Sequence, residues 1–330
     1  MEVDLSPQGE VIRRERCHET FPCFSFCSVT LLADPARAET VKFVVPFAAG
    51  GPVDQWARIV AAELGPRLGA DVIVDDRGGA GGAIAAEYVA HAAPDGDTLL
   101  FGSLGACVLG PILKPPAAYD PVKDFAPVMR VGAVPSLLIV NNELGVSTMA
   151  ELIAKARQQK LTYGSAGPGT TMNIAVEMLN DAAEVKITHV PYRGAAPAIS
   201  DLLGDHVDMI NADLPVLMPL VKAGKVKAIA LFAPQRSPLL PDLPSTKELG
   251  LPSVMMENWY GVLAPAGTPA AVRDKLEQAL LAAVATPAVQ QRIVENGVHD
   301  TLDHAAFVAL LAHEFAEWPA KIRKLGIAAE

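Results

Sequence analysis

Residues 41–54 constrain the fold more than any other part of this 330-residue chain. Positions 41–45 are mostly β-branched or aromatic, which is typical of a buried parallel strand. Pro46 ends this strand, and Gly50 and Gly51 permit a sharp turn into a run of apolar residues at helical spacing, Trp56, Ile59, Val60 and Leu64. Such a turn directs free backbone N–H groups into the space above a sheet, where they can hold an anion. Because the turn has neither a lysine nor a nucleotide fingerprint, a small carboxylate is the expected anion.

Strands, glycine turns and helices alternate along the rest of the chain, which predicts an α/β protein. The hydrophobic content of 51% is sufficient for two sizeable cores at this length. In open α/β sheets, ligands bind at the carboxyl ends of the strands. Further strands are predicted at residues 72–74, 99–101, 161–165, 187–190 and 209–211.

Two similar sets of strand–helix units predict two lobes, each a sheet flanked by helices. The first lobe is expected to be discontinuous and to combine residues 39–133 with residues 232–330. The second lobe, residues 134–231, begins at an extended segment around Pro135 and ends with a strand at 226–231. Two lobes joined by extended crossings predict a cleft between them and a hinge.

The first 38 residues differ from the rest of the chain and resemble a secretory leader. Arg13, Arg14 and Arg16 precede an apolar segment at 21–33, and Ala36 and Ala38 supply the small residues of a cleavage site. This order predicts cleavage after Ala38 and a periplasmic location. Pro22 interrupts the apolar segment, so a cytoplasmic tail without structure remains the alternative.

Cysteine usage agrees with cleavage. Three of the four cysteines lie in the leader, so the mature chain would keep Cys107 alone. One cysteine cannot form an internal disulfide. We interpret Cys107 as a structural thiol in preference to a nucleophile.

The remaining motifs argue against other classes of protein. A formal charge of −10 argues against nucleic-acid binding, which needs clustered Lys and Arg. The Gly-Ser pairs that end at Ser103 and Ser165 lack the glycine that a nucleophile elbow places two residues before the serine. His299 and His304 lack the companions of a zinc site, and His189 is interpreted as a packed strand residue. We predict no catalytic residue, no metal and no cofactor.

Small hydrogen-bond donors follow the strand at 161–165. Ser165 and two glycines precede Thr170 and Thr171, which stand at the expected start of a helix. A threonine there can cap the helix or donate to a ligand, and the sequence leaves both roles open. The two roles are compatible because a helix start offers hydroxyl groups and unpaired backbone N–H groups together.

Nine segments in order resemble solute receptors of the tripartite tricarboxylate transporter family, also called the Bug family. Each segment is weakly specific, but their common order from about residue 40 onward is highly specific. The segments are VPFAAGGPVD (45–54), GAGG (79–82), APDGDTLL (93–100), YDPVKDFAP (119–127), YGSAG with GT (163–170), HVPYRG (189–194), AGK (223–225), QRS (235–237) and LAPAGTP (263–269).

The resemblance implies a two-lobed periplasmic-binding-protein fold of type II. It also implies a monomeric receptor, not an enzyme, that binds a small carboxylate in the cleft and delivers it to integral membrane permease subunits. A receptor that signals to a membrane sensor, and an enzyme on the same architecture, are the alternatives. The candidate ligand-binding residues are Phe47, Ala48, Gly50, Asp54, Ser103, Ser165, Gly167, Thr170, Thr171, Tyr192, Arg193 and Asp213.

The chain departs from the family pattern around the loop after Ser103. Leu104, Ala106 and Cys107 stand where the family usually has small hydroxyl residues, and Asn173 stands where histidine is common. Ala83 likewise replaces a frequent asparagine. These replacements make the loop less polar and favour a monocarboxylate or a partly apolar acid as the ligand.

Overall fold

A sheet of nine strands lies at the centre of the structure, a computed structural model that describes residues 39–113 and 119–326. Eight strands follow the order β2-β1-β3-β9-β4-β7-β5-β6, and β8 pairs with β4. The predicted leader lies outside the described residues. The strands are β1 (Glu39–Val45), β2 (Ala70–Asp76), β3 (Thr98–Ser103), β4 (Phe125–Val140), β5 (Thr162–Ser165), β6 (Thr188–Pro191), β7 (Met209–Asp213), β8 (Lys227–Phe232) and β9 (Glu257–Pro265).

Helices connect most of these strands and cover the sheet. Among the described residues they are α1 (Pro52–Leu68), α2 (Ala83–Ala90), α3 (Gly110–Leu113), α4 (Met149–Gln158), α5 (Thr171–Ala183), α6 (Ala195–Leu203), α7 (Leu214–Lys222), α8 (Ala270–Val284), α9 (Pro287–Asn296) and α10 (His304–Lys324). No helix of the described part combines the length and the apolar character needed to cross a membrane.

Strand β4 belongs to both halves of the sheet. Residues 125–135 of β4 pair with β9, whereas residues 136–140 pair with β7 and β8. We call β1, β2, β3, β9 and residues 125–135 the first half, and residues 136–140 with β5 to β8 the second half. The single strand realises the predicted extended segment around Pro135, while the division of the chain into lobes at 133/134 and 231/232 stays a prediction.

The two faces of the sheet bury two separate apolar clusters. Neighbouring residues of β4 go to opposite clusters, because successive side chains of a strand point to opposite faces. Leu137 belongs to the same cluster as Phe43 and Ile210, whereas Leu138 belongs to the cluster that contains Phe232. Helices therefore cover the sheet on both sides, which leaves the ends of the strands as the place where a site can form.

Local sequence signals predict most elements correctly. Thr148 and Glu151 form a capping box at the start of α4, in which each side chain accepts from the backbone N–H of the other residue. Thr286 likewise caps α9, and Pro287 is its first residue. Strand β1 pairs in parallel with β2 and β3, as its sequence predicts, whereas β9 runs antiparallel to both β3 and β4.

Candidate ligand-binding site

A cavity of about 30 Å³ lies between the two halves of the sheet, at the ends of the strands. Such a volume holds one or two water molecules, so any larger ligand needs the surrounding loops to move apart. The first half contributes the lining residues Phe47, Pro52, Val53, Ser103 and Asn258. The second half contributes Ala166, Thr170, Thr171, Met172, Ala195, Ala212 and Asp213.

The start of α1 forms one wall of the cavity. Gly51 is the N-cap and provides no side chain, and Pro52 begins the helix. Asp54 does not reach the cavity wall, because its Oδ2 accepts from the Gly50 N–H at 2.8 Å and its Oδ1 lies 2.6 Å from Arg58 Nε. The carboxylate of Asp54 therefore fixes the glycine turn, while the N-terminal end of α1 gives this wall a positive potential.

The start of α5 forms the opposite wall. The Thr170 hydroxyl donates to the Gly167 carbonyl at 2.7 Å and accepts from the Asn173 N–H at 3.4 Å. Asn173 in turn accepts from the Gly169 N–H. Thr170 is thus the N-cap of α5, whereas the Thr171 hydroxyl has no hydrogen-bond partner among the described residues and lines the cavity. The first backbone N–H groups of α5 also point toward the cavity, because the free N–H groups of a helix point out of its N-terminal end.

Asp213 lies on the cavity wall at the end of β7 and is only 2% exposed. Its Oδ2 accepts from the Tyr260 hydroxyl at 2.6 Å and from Asn258 Nδ2 at 2.9 Å. Burial raises the pKa of Asp213 to about 6, although both hydrogen bonds act in the opposite direction. The other residues that line the cavity carry no charge at neutral pH, so Asp213 dominates the local electrostatics.

Four predicted site residues of the second half surround the cavity without lining it. Ser165 is fully buried, and its Oγ lies 2.5 Å from His189 Nε2 and accepts from the Gly167 N–H. The Tyr192 hydroxyl donates to Asp201 at 2.6 Å, and the Arg193 side chain is exposed. The close Ser165–His189 pair is a contact that sequence reasoning missed, because the two residues lie on neighbouring strands.

Backbone contacts between the two halves close the cavity. A methyl group on Gly194 would lie 2.9 Å from the Ala48 nitrogen, and one on Gly81 would lie 2.5 Å from the Pro168 carbonyl oxygen. Gly105 approaches the start of α5 in the same manner. Loops of the first half therefore touch loops of the second half at positions where any side chain would separate them.

The structure brings five of the twelve predicted residues together on the cavity wall. They are Phe47, Ser103, Thr170, Thr171 and Asp213. Of the others, Ala48, Gly50, Gly167, Tyr192 and Arg193 lie in the surrounding turns, Asp54 lies in the first turn of α1, and Ser165 ends β5. Sequence reasoning missed the lining residues Pro52, Val53, Ala166, Met172, Ala195, Ala212 and Asn258. Most of these are apolar and give no chemical signal, and Asn258 reaches the cavity from a distant strand.

Cys107, His299 and His304 lie away from the cavity lining, and their contacts indicate structural roles. Cys107 is buried, and burial raises the pKa of its thiol to about 12, so it is not a reactive thiolate at neutral pH. His299 lies within 3.1 Å of carboxylate oxygens of Glu257 and Asp300, and His304 contacts the Pro127 carbonyl. Within residues 39–113 and 119–326, no three His, Cys, Asp or Glu residues form a group that could hold a metal ion.

Three solved structures are similar to this chain over most of its length. The periplasmic binding protein BugD and an R. palustris protein with adipate each share 34% identity at a TM-score of 0.84, covering 88% of this chain and 98% of theirs. MatC from Rhodopseudomonas palustris, solved with bound malate, shares 34% identity at a TM-score of 0.80, covering 85% of this chain and 98% of its own. The expected two-lobed α/β fold of periplasmic binding proteins is confirmed.

The family comparison agrees with these structures. Residues 56–327 match the TctC family, described as the tripartite tricarboxylate transporter family receptor. The match begins within α1 and includes the lining residues from Ser103 to Asn258, whereas Phe47, Pro52 and Val53 precede it. This chain therefore belongs to the TctC family of tripartite tricarboxylate transporter receptors.

Proposed function

We propose that the protein is a periplasmic receptor that binds a small carboxylate in the cavity between its two lobes. The observation that carries the proposal is the meeting of two helix starts, those of α1 and α5, on one buried cavity lined with hydroxyl groups. Both helix starts favour a negative charge. Relatives solved with adipate and with malate support the same class of ligand.

The energetics require several groups to act together. A helix start contributes roughly 0.3–1 kcal/mol to holding an anion at an exposed site and up to about 2 kcal/mol when partly buried. A hydrogen bond to a charged group adds roughly 1.5–3 kcal/mol. Micromolar affinity needs about −8 kcal/mol. Two helix starts together with the free Thr171 hydroxyl reach this range only if closure excludes water.

Native mass spectrometry of freshly purified protein, followed by calorimetric titration, tests the proposal. We expect a carried-over acid, and micromolar or tighter binding of at least one acid from a panel of mono-, di- and tricarboxylates. The less polar segment after Ser103 favours the monocarboxylates and partly apolar acids of the panel. A protein that carries no acid and binds no member of the panel would contradict the proposal.

We infer a binding role without catalysis. The Ser165–His189 pair is the arrangement closest to a nucleophile and base, but Ser165 is fully buried and does not line the cavity. A nucleophile must reach its substrate, and this serine instead holds the turn at Gly167. Hydrolysis of an ester or amide that depends on Ser165 would overturn the inference.

Delivery to permease subunits is the expected next step, and we propose that the receptor acts as a monomer. Uptake of a labelled ligand should fail when either the receptor gene or the permease genes are deleted. If deletion of the receptor left uptake intact but abolished a transcriptional response to the ligand, signalling to a membrane sensor would replace transport as the role.

Export through the residue 1–38 leader follows from the same proposal. In a Gram-negative host, N-terminal sequencing of the periplasmic protein should begin at Glu39, after cleavage behind Ala38. Variant Ala38→Arg should accumulate uncleaved, since a large charged residue replaces the small one. Recovery of the full-length chain from the cytoplasm would contradict export.

A further inference from the structure

Two acceptor atoms at the cavity have no hydrogen-bond donor among the described residues. Both hydrogen bonds to Asp213 end on Oδ2, so its Oδ1 has no partner among the described residues. Asn258 donates to Asp213 through Nδ2, which assigns its other atom as an oxygen, and this Oδ1 is buried without a partner. Asp213 is 2% exposed and Asn258 is 4% exposed, and both line the cavity.

No cationic side chain lines the cavity beside Asp213. The other lining residues of the described chain are apolar, hydroxyl-bearing or amide-bearing, and none carries a positive charge. A buried carboxylate is stable only when it is paired or neutralised. The partner of Asp213 Oδ1 can therefore come from the ligand itself.

The start of α5 sets the orientation of such a ligand. Thr171 and Met172 supply free N–H groups and one unpartnered hydroxyl group to the same cavity, and these groups suit a carboxylate. A second carboxylate placed against Asp213 would face a like charge. An ammonium group provides three donors where a hydroxyl group provides one, which matches two unpartnered acceptors.

We propose that the ligand is a small 2-amino acid whose ammonium group binds Asp213 and Asn258 while its carboxylate occupies the start of α5. The inference rests on the proposed carboxylate receptor and names the second group of its ligand. In this arrangement the start of α5 binds the carboxylate of the ligand. Asp213 determines specificity, because it selects the ammonium group on the adjacent carbon.

Two matched series of acids test the inference by calorimetric titration. Propionate, L-lactate and L-alanine differ only in the hydrogen, hydroxyl or ammonium group at the second carbon. Succinate, L-malate and L-aspartate form the same series with a second carboxylate. In at least one series, the amino acid should bind at least tenfold more tightly than both of its analogues.

Variant Asp213→Asn removes the charge and keeps the shape, so it should reduce the preference for the amino acid to less than threefold. Asp201→Asn is the matched control, because Asp201 also accepts from a tyrosine hydroxyl at 2.6 Å but does not line the cavity. It should keep the full preference. Thermal melts establish whether each variant folds. If Asp213→Asn does not fold, the titration series on the wild-type protein still tests the inference.

The outcomes separate this inference from the proposed function. If the unsubstituted or hydroxy acids bind as tightly as the amino acids, or if Asp213→Asn keeps the preference, the inference is overturned while the carboxylate receptor stands. If no acid of either series or of the wider carboxylate panel binds, the receptor proposal fails and the inference fails with it.

Discussion

Thr170 and Thr171 are adjacent at the start of α5, but their hydroxyl groups have different surroundings. The Thr170 hydroxyl makes two hydrogen bonds within its own turn, to Gly167 and from Asn173. The Thr171 hydroxyl makes none among the described residues and lines the cavity. At the scale of single residues, one threonine therefore serves the helix and its neighbour is free to serve a ligand.

Replacement of each threonine by the isosteric valine separates the two roles. Thr170→Val should reduce the free energy of unfolding by about 1 kcal/mol and leave affinity nearly unchanged, since it removes a cap. Thr171→Val should leave stability nearly unchanged and weaken ligand binding by about one to two orders of magnitude, since it removes a bond to a charged group. Thermal melts and calorimetric titration of both variants measure these effects. The reverse pattern would assign the cap to Thr171.

Glu314 on α10 gives the protein a pH-dependent stability. It accepts from Trp259 Nε1 at 3.0 and 3.1 Å, and burial raises its pKa from 4.5 to about 7. Between these two values the folded state binds more protons than the unfolded state. The free energy of unfolding therefore falls as the pH rises from about 4.5 to 7.

The variant Glu314→Gln should not show this loss of stability with rising pH. We expect the variant to exceed the wild type by on the order of 2 kcal/mol at pH 8 and to show little advantage at pH 4, because the wild-type carboxyl group is neutral there. Denaturant unfolding at both pH values measures the difference. Glu317→Gln, an exposed change on the same helix, is the control and should give no such gain. An equal effect of Glu314→Gln at both pH values would exclude titration as its cause.

At the scale of elements, α6 bears on closure through Gly194, the residue that caps its start. Gly194, its N-cap, has an extended backbone (φ 165°, ψ 173°) that any residue can adopt. Contact with Ala48 is therefore the main obstacle to a side chain there. Gly204, the C-cap of α6, has a φ of −94°, and the atoms nearest to a methyl group there belong to His206 and to Ser200 of the same helix.

Gly194→Ala should weaken ligand binding at least tenfold, because its methyl group would lie 2.9 Å from the Ala48 nitrogen and keep the halves apart. Its thermal stability should change little. Gly204→Ala, the control, should bind normally. Calorimetric titration of both variants checks the expectation, and normal affinity of Gly194→Ala would show that this contact plays no part in closure.

Local signals in the sequence predict the elements better than they predict strand direction. Thr148 and Thr286 indicate helix starts in the sequence, because a capping side chain bonds to backbone groups only a few residues away. The direction of β9 has no such local signal, since it depends on partners more than 100 residues away. Helix α7 is not predicted from the sequence, yet Leu214, Leu217 and Met218 are buried and hold it in place although Pro219 lies inside the helix. Pro319 similarly lies inside α10, which runs on to bury Ile322.

The site could be predicted only in part for a related reason. Glycine turns and hydroxyl groups at strand ends mark Ser103, Thr170 and Thr171, because ligand binding by free donors has a recognisable pattern. Asn258 contacts Asp213 across 45 positions of sequence, and no local pattern connects them. Apolar lining residues such as Val53 and Met172 resemble any core residue until the fold places them at the cavity.

At the scale of the whole molecule, the small cavity and the touching loops require the halves to separate before a ligand can enter. The ligand stabilises the closed arrangement only through contacts with both halves. Small-angle X-ray scattering should therefore give a smaller radius of gyration at saturating ligand than without ligand. An unchanged scattering profile at saturation would count against hinge closure.

Strand β9 also determines the order in which the protein can be completed during synthesis. The second half uses strands that all lie between residues 136 and 232, so its pairing is available once that stretch has left the ribosome. The first half must wait, because β9 at Glu257–Pro265 inserts between β3 and β4 and satisfies both. Until then, a growing chain presents two unpaired strand edges, which other chains or chaperones can bind. Translation thus completes the middle of this protein before its beginning.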